Sequence, residues 1–503
     1  PNLIDYGGFY TDLADWQANN TFGFGANSLQ GLPQFTSATD LHVDGAFLND
    51  MGVLTTVTTD IDGETRPAAG AASVDIGADE FTPPSNDAGV EDLASPTLPV
   101  SGGFATVEVS VRNYGISVLS AFDVEWEING VAQAPVSYAG APIAVNAATS
   151  MNLANINFPV NTTSLRFWTT LPNGVVDERF ENDTLTLNIC PGLAGNYTVG
   201  HSTSDFPTVS EAVDALLSCG VTAPVTMEFQ PGTYTGPWVL TEIPGASAIN
   251  TVTFDGVDAS TTSVTHDGFG INTAATVTFD GVDHFIMKNF SILSTGLNTA
   301  YAVLFTNQAN YNTLENNDID VPISGLLTNV SAVVFSASYT SSTGSATEGN
   351  NGNWNIIKAN DISGGVTGIV LEGGAANFEN VGNQIMDNEI HDASSYGIYA
   401  DEQDSLMISG NKVYDITAPT SDAMMLFDIH NFTIAGNEVN SNDYGIAIFG
   451  GFAVIDKVTN GRIYNNMVSS NTGGEALYLR DANIHYIYHN TFRGYPAVYL
   501  DNH

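Results

Sequence analysis

Apolar and polar positions alternate in short bursts along most of the chain, and each burst ends in Gly, Asn, Asp or Pro. This period of two predicts short strands rather than helices. Between residues 190 and 503 the bursts repeat. The motif aliphatic-x-x-Asn-x-aliphatic occurs at Leu314-Asn317-Ile319, Ile357-Asn360-Ile362, Ile385-Asn388-Ile390, Ile408-Asn411-Val413, Ile434-Asn437-Val439, Ile463-Asn466-Val468 and Ile487-Asn490-Phe492. Steps between the asparagines are 43, 28, 23, 26, 29 and 24 residues, and a looser version, Ile286 with Asn289, precedes them. A second strand follows about ten residues after each Asn, as in Gly368-Ile369-Val370-Leu371 and Gly397-Ile398-Tyr399-Ala400.

Short strands recurring about every 25 residues, with no helices between, predict an all-β fold whose main body is a parallel β-solenoid. One coil cannot bury its own apolar face, whereas stacked coils share a core. Stacking also places Asn317, Asn360, Asn388, Asn411, Asn437, Asn466 and Asn490 in one file, where side-chain amides can bond from coil to coil. Asn further tolerates the left-handed backbone that a sharp corner demands. The 43-residue step holds a polar insertion, Ser336 to Asn353, expected to protrude as a mobile loop.

Helical periodicity shows once, over residues 205–217, where Val209, Ala212, Val213 and Leu216 share a face. Thr208 and Glu211 have the spacing of a capping box. The helix is expected to cover the open end of the solenoid. Residues 83–189 alternate in another register: Val107, Val109 and Val111, then Phe122, Val124, Trp126 and Ile128, then the turn Asn129-Gly130. About seven short strands there predict an immunoglobulin-like β-sandwich. Residues 1–82 are turn-rich, lack helical periodicity and read as the end of a preceding β-helix. The expected order is therefore 1–82, 83–189 and 190–503, the last truncated at its C-terminal end; we read the chain as an internal piece of a longer protein.

Charge narrows the function. There are 55 acidic and 11 basic side chains, a net charge of −44, and only 13% of residues are charged. So few cations cannot neutralise a phosphate backbone, which excludes nucleic acid as a partner; membrane insertion is excluded by the lack of an apolar run of about 18 residues. No catalytic set is evident. The cations of the repeat, Lys288, Lys358, Lys412, Lys457, Arg462, Arg480 and Arg493, do not cluster with carboxylates as a lyase requires. Carboxylate pairs that could serve a glycoside hydrolase are Asp401 with Asp404, or Asp392 with Asp415; solvated acidic turns are the alternative. Asp60, Asp62 and Glu64 around Gly63 resemble a short oxygen-rich calcium loop, the candidate metal set. The alternative is an ordered turn in which Arg66 pairs with Asp75 or Glu80. Tyr478, Tyr486, Tyr488, Tyr495 and Tyr499 either pack between coils or form an exposed sugar- or protein-binding face.

Three segments resemble known families. Asp60 to Pro67 with Asp75 to Phe81 (DIGADEF) resembles the closing signature of secreted bacterial right-handed β-helix proteins. Val107 to Gly115 with Asn173-Gly174, Asp177 and Glu181-Asn182-Asp183 resembles the CARDB module, a sandwich associated with bacterial adhesion. Gly195 to Gly200, the 205–217 helix and Gly232-Thr233-Tyr234 resemble the start of β-helix domains in giant exported proteins of Bacteroidota. The resemblance implies type IX secretion, an extracellular or cell-surface location, and a structural or adhesive role in a fibre or hook-like appendage, with homo-oligomers and a surface glycan or other cell-surface ligand as partners. A carbohydrate-active β-helix enzyme or a glycan-binding module is the alternative. Export implies an oxidising compartment, so Cys190 and Cys219 become a disulfide candidate, with two buried thiols as the other reading. No cofactor other than calcium is expected.

Overall fold

The computed structural model describes all residues except 1–3, 6–8, 11–12, 20–25, 27, 30–33, 37–38, 68–72, 159–161, 269–273, 297–298, 323–328, 338–350, 375–378, 451–457, 472, 485 and 502–503. The chain divides into two compact units, Pro1–Pro191 and Gly192–His503.

In the first unit, two antiparallel sheets face each other. One pairs Ala88–Ser95, Gly103–Asn113 and Ala148–Phe158; the other pairs Thr184–Ile189, Thr163–Thr170, Asp123–Ile128 and Val131–Ala132. Alternation sends Val107, Val109 and Val111 from one sheet against Val124, Trp126, Leu165 and Phe167 from the other, all buried in one core. Asn129 (φ 48) and Gly130 (φ 76) make the hairpin turn. The described residues of 1–82 hold bridges, turns and the antiparallel pair Ile4–Asp5 with Phe9–Tyr10; the stacked parallel strands expected of a β-helix end are not among them. They also include a helix, Leu13–Asn19, where no periodicity was expected. Seven residues are two turns, too short for a helical stripe to show; the helix is anchored by buried Trp16.

The second unit is a right-handed parallel β-helix. Each coil gives one short strand to each of three parallel sheets, and stacking is in register beyond one shift between Leu193 and Gly195 at the first strand pair. Ile357, Ile385, Ile408, Ile434 and Ile463 pair in file in the first sheet. Ile362, Ile390, Val413, Val439 and Val468 do so in the second. Ile369, Ile398, Met424, Ile446 and Leu477 do so in the third. All belong to one continuous core. Further up, Phe279, Phe305 and Phe335 stack at centroid distances of 4.4 and 4.3 Å.

The helix Val209–Cys219 carries Ala212 and Leu216 into that core at its first coils. Its capping box is complete: the Glu211 amide donates to Thr208 Oγ1 at 3.2 Å, and the Thr208 amide to Glu211 Oε2 at 3.0 Å. Cys190 and Cys219, the two cysteines of the chain, are both disulfide-bonded. Among the described residues, no helix is long and apolar enough to cross a membrane.

Candidate functional site

The spine of the solenoid is its most ordered chemistry. Asn317, Asn360, Asn388, Asn411, Asn437, Asn466 and Asn490 stand in one file. Each amide Nδ2 donates to Oδ1 of the next Asn at 2.9–3.1 Å along the whole file. The same Oδ1 also accepts a backbone N–H, as Asn388 Oδ1 does from Asn360 at 3.0 Å. Each Nδ2 also reaches back to a carbonyl of the preceding coil, as Asn388 does to Ile357 O at 2.9 Å. The side chain thus satisfies corner groups that no strand can pair.

Two details differ from the sequence expectation. The left-handed corner is not carried by these asparagines but by the residue before each: Asn316 (φ 54), Ala359 (φ 53), Asp387 (φ 54), Gly410 (φ 67), Gly436 (φ 67), Asn465 (φ 57) and His489 (φ 57). Asn289 (φ 62) is of that kind, so it is a corner residue and not the first rung. Register puts Phe290 at the rung, and its amide donates to Asn317 Oδ1 at 3.0 Å.

Ala359 is exposed and holds a conformation that costs an L-residue about 1–2 kcal/mol. Ala359→Asn, which installs the residue of positions 316 and 465, is expected to stabilise the solenoid by about 0.5–1 kcal/mol in urea denaturation. An unchanged or lowered midpoint would refute the assignment of strain to this corner.

A second file was not anticipated. Asn312, Asn355 and Asn383 are buried at another corner; the Asn312 amide donates to Asn355 Oδ1 at 2.9 Å and the Asn355 amide to Asn383 Oδ1 at 3.0 Å. Gln403 continues it, accepting from Asn383 Nδ2 at 3.4 Å. The sequence signal of its three asparagines is a constant offset: each lies five residues before a member of the first file. The insertion Ser336 to Asn353 ends in this lattice as well. Residues 338–350 lie outside the described residues, but Asn351 is buried and donates to Glu372 O at 2.7 Å, so the segment returns to the wall rather than protruding throughout.

Cations on the outer faces are spent between coils. Lys288 meets Asp255 at 3.0 Å, Lys358 meets Glu315 at 3.0 Å and Lys412 meets Glu389 at 2.8 Å. Lys457 lies outside the described residues. Asp392 (φ 58) and Asp415 (φ 50) occupy left-handed corners in neighbouring coils. Asp404 accepts from Asn431 Nδ2 at 3.1 Å. Asp401 instead pairs in register with Glu372, which sequence reasoning did not single out. Glu372 Oε2 is buried without a hydrogen-bond partner, and burial together with the charges of Asp401 and Glu402 pushes its carboxyl up to about 8. Beside this acidic group runs an aromatic strip: Tyr399 and Phe427 (5.7 Å), Phe427 and Phe449 (5.0 Å), Phe449 and Tyr478 (5.1 Å), Tyr478 and Tyr499 (5.4 Å). Tyr488 stacks on Tyr464 at 5.2 Å and Tyr486 lies under Arg462, while Tyr495 stands open to solvent.

The first unit holds the proposed calcium residues, and they do not converge. Asp60 Oδ1 accepts the amides of Asp62 (3.0 Å) and Glu64 (2.7 Å), and Oδ2 accepts that of Glu80 (3.1 Å), so its carboxylate builds the turn. Asp62 turns to His42 Nε2 at 2.8 Å. Hydrogen bonds donated to Asp40 and Asp62 push that imidazole up to about 9. Arg66 meets Glu80 at 3.3 Å and donates to the carbonyls of Gly77 and Asp79, which matches the ordered-turn alternative. Asp75 accepts the amides of Asp50 and Phe81.

The sandwich brings Asp177 and Asp183, both within the CARDB resemblance, together with Asp87, which that resemblance does not include. Asp87, Asp177 and Asp183 are buried, each offering a carboxylate oxygen within 4.8 Å of the others. Burial, then the charge of Asp177, pushes Asp87 up to about 7; burial, then the charges of Asp177 and Asp87, pushes Asp183 up to about 7. Asp87 sits directly before the first sandwich strand, too far from the Glu181-Asn182-Asp183 string for spacing to link them.

Residues 325–503 match the family model described as Periplasmic copper-binding protein (NosD). No curated protein matches the chain. Three solved structures are similar in fold. The CARDB domain of a Pyrococcus furiosus protein, in complex with di-metal ions, is 19% identical, covering 22% of this chain and 97% of that one, with a TM-score of 0.19. The Streptococcus pneumoniae surface protein and adhesin PfbA is 10% identical, covering 58% and 94%, TM-score 0.36. The A-module of an Azotobacter vinelandii mannuronan C-5 epimerase is 12% identical, covering 57% and 91%, TM-score 0.33.

Proposed function

We propose that this chain is a structural and adhesive segment of an extracellular cell-surface protein, exported by the type IX route and built into a fibre or hook-like appendage. One observation carries the reading: seven asparagine side chains bonded in unbroken file through the solenoid. Every rung is shared by neighbouring coils, so no coil loosens without orphaning buried groups in the next. About ten coils at ~4.8 Å give a stiff body of about 45–50 Å. Stiffness along one axis serves a spacer or fibre, and the charge pairs that span coils serve the same end. The uncompensated acidic surface suits salty surroundings, where a Debye length near 8 Å screens its self-repulsion.

Copper does not fit the matched segment. Of its described histidine, cysteine and carboxylate side chains, the group able to share an ion is Asp401, Glu402 and Asp428, hard oxygen donors. A glycan-binding or carbohydrate-active reading is favoured by one observation, the aromatic strip flanking Glu372 and Asp401.

Negative-stain electron microscopy and light scattering of the intact protein in physiological salt are expected to show side-by-side or end-to-end assemblies. Glycan arrays are expected to show retention without released reducing ends. Monomers alone, together with turnover of a neutral glycan, would replace the adhesive reading by the enzymatic one.

A further inference from the structure

We propose that the sandwich holds a hard divalent cation between Asp87, Asp177 and Asp183. The three carboxylates come from separate places: Asp87 precedes the strand Ala88–Ser95, Asp177 follows the turn Pro172–Gly174, and Asp183 leads the strand Thr184–Ile189. Their exposures are 0%, 5% and 7%. The backbone fixes them independently of any ion. Asp87 O accepts the amides of Tyr114 and Gly115, and Asp183 O accepts those of Val90 and Thr169. Asp177 accepts the amides of Ala88 (3.0 Å) and Arg179 (2.8 Å).

What remains is not satisfied by protein. Asp87 Oδ1 and Asp183 Oδ1 are buried with no hydrogen-bond partner, and so is Oδ1 of Asn182, whose Nδ2 already donates to Asp87 Oδ2 at 3.2 Å. Three acidic side chains crowded away from water, with acceptor oxygens left over on Asp87 and Asp183, form an arrangement that a bound cation would complete. The nearby guanidinium of Arg179 is engaged by Asp44. Every donor in the set is oxygen, and three are carboxylates, which selects calcium, magnesium or manganese over copper or zinc. Ion binding would tie the loop carrying Asp177 and the strand entry at Asp183 to the start of Ala88–Ser95, closing the end of the sandwich.

The test uses the full chain stripped with EDTA and exchanged into 150 mM NaCl at constant pH, then titrated calorimetrically with CaCl2, MgCl2 and MnCl2 and scanned for thermal unfolding. With at least one of the three, binding at about one ion per chain and a rise in melting temperature of several degrees, reversed by EDTA, are expected. Asp87→Asn and Asp183→Asn, each removing one like charge at constant shape, are expected to bind at least ten-fold more weakly while keeping the wild-type circular dichroism. Asp60→Asn is expected to titrate as wild type. No heat and no thermal shift with any of the three ions overturns the proposal for the wild-type chain alone, whatever the variants do. Equal binding by wild type and the two sandwich variants also overturns it, because the ion then sits elsewhere on an acidic surface.

Discussion

Asn388→Ala is expected to destabilise the solenoid by about 3–5 kcal/mol, a large effect for one exchange in a chain of this size. The side chain has four separate buried partners. Its Oδ1 accepts the backbone amide and the Nδ2 of Asn360, both at 3.0 Å; its Nδ2 donates to Ile357 O at 2.9 Å and to Asn411 Oδ1 at 3.0 Å. Alanine removes one partner from each bond and leaves the other buried, at about 1–3 kcal/mol for each group that water cannot reach. Some relaxation lowers the sum below full additivity. Because coils interact chiefly with their neighbours, the loss should be local. Amide exchange is expected to accelerate at Asn360, Asn388 and Asn411 and their flanking strands, and hardly at all near Phe279. Asn490→Ala provides the comparison. Its side chain is partly exposed, so water replaces the lost bonds and the cost should stay near 1 kcal/mol. Equal costs at the two positions would mean that the file is a geometric accident of stacking and not a support.

The repeat made this file legible because stacking turns a sequence period directly into vertical neighbours. The assignment failed where one residue of phase matters. Asn289 and Phe290 are adjacent, and only strand pairing shows that Phe290 aligns with Asn317. The left-handed residue was misplaced by the same step, since Asn is plausible both as a rung and as a corner. The file of Asn312, Asn355 and Asn383 spans three coils before Gln403 ends it, so its period had no length in which to emerge.

Acid chemistry was less legible still. Asp60, Asp62 and Glu64 are close in sequence and diverge in space, because an aspartate in a tight turn first satisfies the turn's own amides. Asp87 and Asp183 are 96 positions apart and converge, because two sandwich strands begin side by side. Spacing reads local motifs; a site assembled across sheets is invisible to it. Glu372 belongs to the same class, since its neighbour Asp401 is placed by coil stacking alone.

Glu372→Gln is expected to change how the solenoid responds to pH. In the folded chain burial and the charges of Asp401 and Glu402 hold the Glu372 carboxyl at about 8, against an ordinary 4.5. Raised above its unfolded value, it favours folding fully below pH ~4.5, and that contribution is lost as pH climbs towards 8. The unfolded chain ionises freely over this interval while the folded chain must either keep the proton or bury a charge beside two others. At 1.36 kcal/mol for each pH unit the ceiling is about 5 kcal/mol, and partial exposure with local relaxation brings the expected loss to about 2–4 kcal/mol. Glutamine has the shape without the ionisation. The variant should therefore match wild type near pH 4.5 and exceed it by about 2–4 kcal/mol at pH 8.5, read as the difference in urea denaturation between the two proteins at each pH. The other carboxylates titrate in both chains and cancel in that difference. A gap that is the same at pH 4.5 and 8.5 would show that the carboxylate is already solvated and that the acidic strip on this face is ordinary surface. A gap that opens with pH would locate buried negative charge beside Tyr399 and Phe427, on the face where a neutral sugar ring could stack.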